Sequence, residues 1–288
     1  MPVIEARGLR KAFHSTVALD GIDLRVDEGR ILGIIGPNGA GKTTALNAIV
    51  GLTRTEGRLT VLGRDPWRDR NDLMRDVSFI ADVAVLPRWI RVAQLLTYVE
   101  GVHPRFDRAK AEGLLARTTI RPGSSVRELS KGMVAQLHLA IVLAIDAKLL
   151  VLDEPTLGLD ILYRKRFYDS LLNDYFDRRR TIVVTTHEVG ELQDVLTDVM
   201  FIDRGRVVLE SSMEEIESRF REVTVNPEQL GGARSLGPIN ERQVLGRSIL
   251  LFDGVDGERL AALGELRAPS IADLFVAVVG SADPGGPR

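Results

Sequence analysis

Two short stretches carry the residues best suited to chemistry. In "GPNGAGKTT", Gly36 to Thr44, spaced glycines lead into a lysine and two hydroxyls; in "LLVLDEP", Leu149 to Pro155, an apolar run ends in two adjacent carboxylates. The first stretch fits the pattern G-x-x-x-x-G-K-[ST]. Laid between a strand and a helix, such a loop turns its backbone N–H groups inward and adds the positive end of the helix, which together cradle phosphate oxygens. Gly36, Pro37, Asn38, Gly39, Ala40, Gly41, Lys42, Thr43 and Thr44 therefore read as nucleotide-binding. Lys42 is placed to reach the β- and γ-phosphates, and Thr43 to offer a hydroxyl to Mg²⁺. In the second stretch Asp153 suits Mg²⁺ coordination, while Glu154, one residue on, suits a general base that holds and polarises an attacking water. The chemistry expected is that of a nucleoside triphosphate.

These groups need elements to hold them. "GRILGIIG" reads as a buried strand feeding the glycine loop, and Thr43 to Val50 as the helix after it, closed by Gly51. "AKLLVLDEP" and "RTIVVTTH" read as further buried strands, and "VIEARGLRKAF" and "IDLRV" as alternating ones. Helical patterns follow at 92–117, broken at His103-Pro104, and in "ILYRKRFYDSLLNDYF" and "VGELQDVL". "DVMFIDRGRVVLE" reads as a hairpin turned at Arg204-Gly205, and "SMEEIESRF" as a helix capped by Ser212 with Glu215 closing a capping box. Strands alternating with helices predict an α/β fold with a mostly parallel sheet and ligands at the strands' carboxyl ends. Past about Arg221 the texture shifts to short apolar alternations, a terminal "IADLFVAVV" run and a Gly/Pro tail, which reads as a small α/β appendage with a frayed end.

Composition excludes several classes. The chain has 288 residues, no cysteine and a net charge of -2, so disulfides, thiolate metal sites and a nucleic-acid-binding basic surface are not expected. No apolar run approaches the ~18 residues of a membrane span. The N-terminal "MPVIEARGLRKAF" lacks a signal-peptide layout, so the expectation is a soluble chain.

One stretch remains ambiguous on its own. "LSKGM", Leu129 to Met133, opens a helix whose Val134, Leu137, Ile141 and Ile145 share a face. Alone, Ser130 reads as an ordinary N-cap.

Taken in order and at their separations, the glycine loop, "LSKGM", "LLVLDEPTLGLD" and "VVTTH" resemble the ATP-binding cassette (ABC) ATPases over about Val3 to Phe220. The resemblance implies the fold: a P-loop NTPase of ABC type, with a mostly parallel core sheet, an antiparallel β subdomain and a helical subdomain. It implies a nucleotide-binding domain at 1–220 with a helical insert at about 88–146, leaving 221–288 as the appendage. It also assigns roles. "LSKGM" answers to the family's signature, so Ser130, Lys131 and Gly132 would cap the γ-phosphate of ATP held by a second copy. Phe13 stands where the family stacks an aromatic on adenine, Asp160 where a loop residue links two sites across the dimer, and His187 where a histidine contacts the γ-phosphate. Asp82 replaces the family's usual metal-facing glutamine, and Lys131 and Met133 replace a glycine and a glutamine of the usual signature. ATP and Mg²⁺ are the implied ligands. The implied partners are a second copy or a related cassette and a permease on a separate chain at the inner face of the membrane. "VLPRWIRVAQLLTYVEGVHPRFD" and "PSIADLFVAVVG" resemble the export-type branch. Two other readings stay open: a soluble ABC-type mechanical ATPase, and a dimerisation module switched by nucleotide.

Overall fold

The computed structural model describes residues 2–81, 86–157, 161–177, 179–186, 190 and 192–282, with backbone alone for Tyr163, Asp174, Ser281 and Ala282. Strands are β1 (Pro2–Phe13), β2 (Thr16–Asp27), β3 (Ile31–Ile35), β4 (Glu56–Val61), β5 (Val77–Ile80), β6 (Leu149–Asp153), β7 (Thr181–Thr186), β8 (Asp198–Asp203), β9 (Arg206–Ser212), β10 (Phe220–Val225), β11 (Asn240–Val244), β12 (Arg247–Asp253) and β13 (Glu265–Arg267). Helices are α1 (Lys42–Ile49), α2 (Arg70–Leu73), α3 (Val92–Val102), α4 (Arg108–Leu115), α5 (Lys131–Leu143), α6 (Ile161–Ser170), α7 (Met213–Arg219), α8 (Leu230–Arg234), α9 (Gly257–Ala261) and α10 (Ile271–Ala282).

The central sheet has the order β5-β6-β7-β3-β8-β9, parallel except for β9. "ILGII", "LLVLD" and "TIVVTT" are buried at every position, as a parallel sheet covered on both faces requires. Their side chains sort by period two. Ile31, Ile35, Leu150, Leu152, Ile182 and Val184 face a core shared with α6 and α10. Leu32, Ile34, Leu149, Val151 and Val183 face a core shared with α1 and the antiparallel sheet β2-β1-β4. A third core joins α3, α4 and α5, so α5 bridges the helical insert and the sheet. After β9, an antiparallel sheet of order β11-β12-β10-β13 builds its own small core with α8 and α9. The chain then returns to the central sheet: Ile271, Leu274 and Ala277 of α10 are buried in that sheet's core.

The structure departs from the sequence expectations in three places. The stretch after α6 closes as a π-type turn, Leu171–Tyr175, instead of continuing the α-helix. The described part of "VGELQDVL" forms hydrogen-bonded turns at Leu192–Val195. At the start of α7 the Ser212 hydroxyl does accept from Glu215 N, but the Glu215 carboxylate takes the Ser211 hydroxyl instead of completing the box.

The hairpin at Arg204-Gly205 forms as expected, with both central residues at positive φ. The tetrapeptide "VLGR" makes the same kind of turn twice, at Leu62-Gly63 and Leu245-Gly246, with leucine at φ 50° and 51°. Leu62 packs against the core and recovers the strain of the left-handed conformation; Leu245 is 100% exposed and recovers none. Leu245→Asn is therefore expected to stabilise by about 0.5–1 kcal/mol, and Leu62→Asn to destabilise by about 1 kcal/mol. Urea midpoints moving in the same direction would refute this.

Candidate functional site

The glycine loop and α1 sit at the carboxyl end of β3, where the sheet delivers the chain to a tight turn. The fold leaves no room for side chains at two of the glycines. A Cβ on Gly36 would lie 2.3 Å from the Ile202 carbonyl oxygen, and one on Gly41, at φ 111°, 2.3 Å from that of Ala18. Gly41 caps α1 without a side-chain hydrogen bond, and no acidic residue occupies the first turn. The helix start is thus left to an outside anion.

A cavity of about 480 Å³ opens over this turn, lined by Pro37 to Thr44 and also by Thr16, Ala18, Glu154 and Leu157. Lys42 is buried beneath it. Its ammonium donates to the Gly36 carbonyl at 2.7 Å and pairs with a Glu154 carboxylate oxygen at 3.4 Å. The cation expected at phosphate and the carboxylate expected to hold water thus meet, one from the first residue of α1 and the other from the residue after β6.

Asp153 is buried, and its Oδ1 accepts from the Thr185 hydroxyl at 2.6 Å. The same Thr185 oxygen accepts from the backbone N–H of Glu154 at 3.0 Å. One hydroxyl of β7 therefore fixes both carboxylate positions, and Glu154 is held at φ 45°, in the left-handed region that a non-glycine residue seldom adopts. Thr185 was not anticipated. It is one of three threonines in β7, and nothing in the sequence sets it apart from Thr181 and Thr186.

Phe13 ends β1, 46% exposed, with the Lys11 ammonium 4.9 Å from its ring centre; its register partner Thr16 lines the cavity. Ser130 is exposed at the start of α5, where its hydroxyl accepts from Met133 N at 3.2 Å, so the plain N-cap is formed. No residue of α5 lines the cavity over the glycine loop. His138 of the same helix is held at a pKa of about 4 by burial and is neutral at pH 7. Asp82, Asp160 and His187 lie outside the described residues. Among the described residues no cluster of three His, Cys, Asp or Glu side chains could form a metal cage. No helix there is long and apolar enough to cross a membrane.

The pattern of the ABC transporter family matches residues 19–157, which include the glycine loop, "LSKGM" and the paired carboxylates. A daunorubicin resistance ATP-binding protein of Streptomyces coeruleorubidus is 30% identical over 96% of this chain and 96% of its own length. The chain belongs to the ATP-binding cassette family. It is an ATP-binding ATPase of that family. A Nod factor export ATP-binding protein of Cupriavidus pinatubonensis is 31% identical over 96% of this chain and 91% of its own. A solved ATP-binding subunit of an ABC transporter superposes with a TM-score of 0.66 at 23% identity, covering 75% of this chain and 92% of its own. That likeness bears out the expected cassette fold.

Proposed function

We propose that the chain is the ATP-hydrolysing subunit of an export-type transporter. Two copies would close head to tail on two ATP molecules and drive a permease on a separate chain. The observation that carries this reading is the Lys42–Glu154 pair at the base of a cavity whose lining takes nothing from α5. A γ-phosphate arriving there would compete for the Lys42 ammonium and release Glu154 to hold water. The exposed Ser130 and the start of α5, with Lys131 and Gly132, would then serve the open side of the cavity on the other copy. Nod factor export relatives that align over almost the whole chain support the direction of transport.

Thr43 and Asp153 would hold Mg²⁺ together with phosphate oxygens, as an ion bound mainly through its nucleotide requires. When bound, Mg²⁺ supplies neutralisation of charge on the phosphates. By the same reading Asp82 would offer the metal an oxygen in place of the family's glutamine, Phe13 would stack on the adenine, His187 would contact the γ-phosphate and Asp160 would couple the two sites. The work of the protein would lie at the inner face of the membrane.

Glu154→Gln should bind ATP but hydrolyse it slowly and so trap the closed pair. By light scattering after size exclusion, this variant is expected to be monomeric alone and dimeric with Mg-ATP, and Ser130→Arg should abolish the shift. A chain that stays monomeric at saturating ATP would overturn the homodimer, and a mixture with an unlike cassette would then be tested.

A further inference from the structure

The carboxyl-terminal unit touches the cassette at a point that the proposed chemistry does not use. The backbone N–H of Ile271, at the start of α10, donates to Gln193 Oε1 at 3.0 Å. Ser270, at the same helix start, is occupied otherwise: its hydroxyl accepts from Asp273 N at 3.0 Å and donates to Asp273 Oδ2 at 2.7 Å. The acceptor for Ile271 thus comes from a residue 78 positions earlier, in the connection between β7 and β8. Apolar contact reinforces it. Ile271 and Leu274 are buried in the same cluster as Leu192 and Leu196, which flank Gln193, and Phe275 meets Phe201 of β8 edge to face, with ring centres 5.2 Å apart.

The start of α10 is gripped from its other side by charge. Asp273 receives Arg242 at 3.0 Å, and the same guanidinium group reaches Glu222 at 3.2 Å. Glu222 is buried and also receives Arg267 at 2.8 Å. These residues come from β11, β10 and β13, so three strands of the second sheet are tied to the first turn of α10. A continuous set of contacts therefore runs from that sheet, through Arg242, Asp273 and Ile271, to Gln193. Gln193 lies six residues after His187 in one connection, and β7, which leads into it, carries the Thr185 that holds Asp153 and Glu154.

We propose that Gln193 is a positioning residue for ATP hydrolysis, through which α10 and the second sheet hold the Leu192–Leu196 turn between β7 and β8 in the arrangement that turnover requires. This rests on the reading above in which His187 faces the γ-phosphate. The device acts on the chemical step and leaves ATP binding alone, because the glycine loop and α1 lie on the opposite face of the central sheet. A residue that merely caps α10 would change melting temperature and nothing else.

The test is steady-state hydrolysis of Mg-ATP by the full chain. Gln193→Met removes the acceptor at nearly constant shape and is expected to lower kcat about tenfold with KM for ATP held within about twofold. Gln193→Glu keeps an acceptor and should restore kcat. Arg242→Ala, at a half-exposed site remote from the nucleotide, should lower kcat in the same sense, and the double variant with Gln193→Met should lose no more than the worse single one. His187→Ala separates the two layers of the argument. If it leaves kcat unchanged, the reading of His187 fails; if it abolishes turnover while Gln193→Met and Arg242→Ala do not lower kcat, the positioning role is overturned. Additive losses in the double variant would overturn the route through Asp273.

Discussion

Replacing Glu154 by glutamine is expected to lower ATP turnover by about a hundredfold or more while ATP still binds, because loss of a general base costs 10²–10⁴-fold. The geometry makes the expectation specific. Glutamine keeps the shape and the left-handed backbone held by Thr185, but it cannot take a proton from water and brings no negative charge to the Lys42 ammonium, which sits 3.4 Å from the carboxylate. Lys42 then keeps the Gly36 and Pro37 carbonyls and whatever phosphate arrives, so ATP affinity should hold or rise. Single-turnover hydrolysis beside equilibrium ATP binding reads both halves. Turnover within about threefold of the parent would remove Glu154 from the base role.

The second large effect is structural and lies at the other end of β6. The Asp76 side chain is only 7% exposed and has three cations around it: Arg64 at 3.0 Å, Arg105 at 2.8 Å and Lys148 at 3.7 Å. Arg64 makes an aligned hydrogen bond to Oδ2, whereas Arg105 faces Oδ1 as an ion pair without hydrogen-bond alignment. Its backbone carbonyl accepts from Leu149, the first residue of β6, and from Lys148 just before it. One aspartate thus ties the antiparallel sheet, the loop between α3 and α4, and the strand that ends at Asp153, just before Glu154. Breaking a buried pair from one side costs about 3–5 kcal/mol, and the partial exposure of the three cations puts Asp76→Ala at about 3 kcal/mol. Urea unfolding measures it, and a loss below about 1 kcal/mol would show that the cations simply turn to solvent.

The sequence was most legible where function is local along the chain. The glycine loop, its lysine and the paired carboxylates are contiguous stretches, and the buried strands around them announce themselves by unbroken apolar runs. Asp76 and Thr185 were illegible for the opposite reason. Asp76 meets partners 12, 29 and 72 residues away, and Thr185 one 32 residues away, so nothing in either neighbourhood marks them. The capping box at Ser212 failed because a second serine, Ser211, competes for the Glu215 carboxylate, a contest that spacing alone does not decide. The return of α10 to the central core was equally hidden, since "IADLFVAVV" suits any apolar surface of the molecule. Ser130 shows a different limit: one chain displays the formed cap, while the proposed half-site needs two.

Glu154 sits where the fold would prefer another residue. At φ 45° a glycine would relieve about 1 kcal/mol of backbone strain, and asparagine part of it, yet either would delete the carboxylate chain that reaches Lys42. If Glu154 is the base proposed above, durability and catalysis pull this single codon in opposite directions. A laboratory evolution campaign that rewards heat resistance alone would then drift towards sturdy, idle cassettes, with the glutamate kept only where working turnover is selected as well.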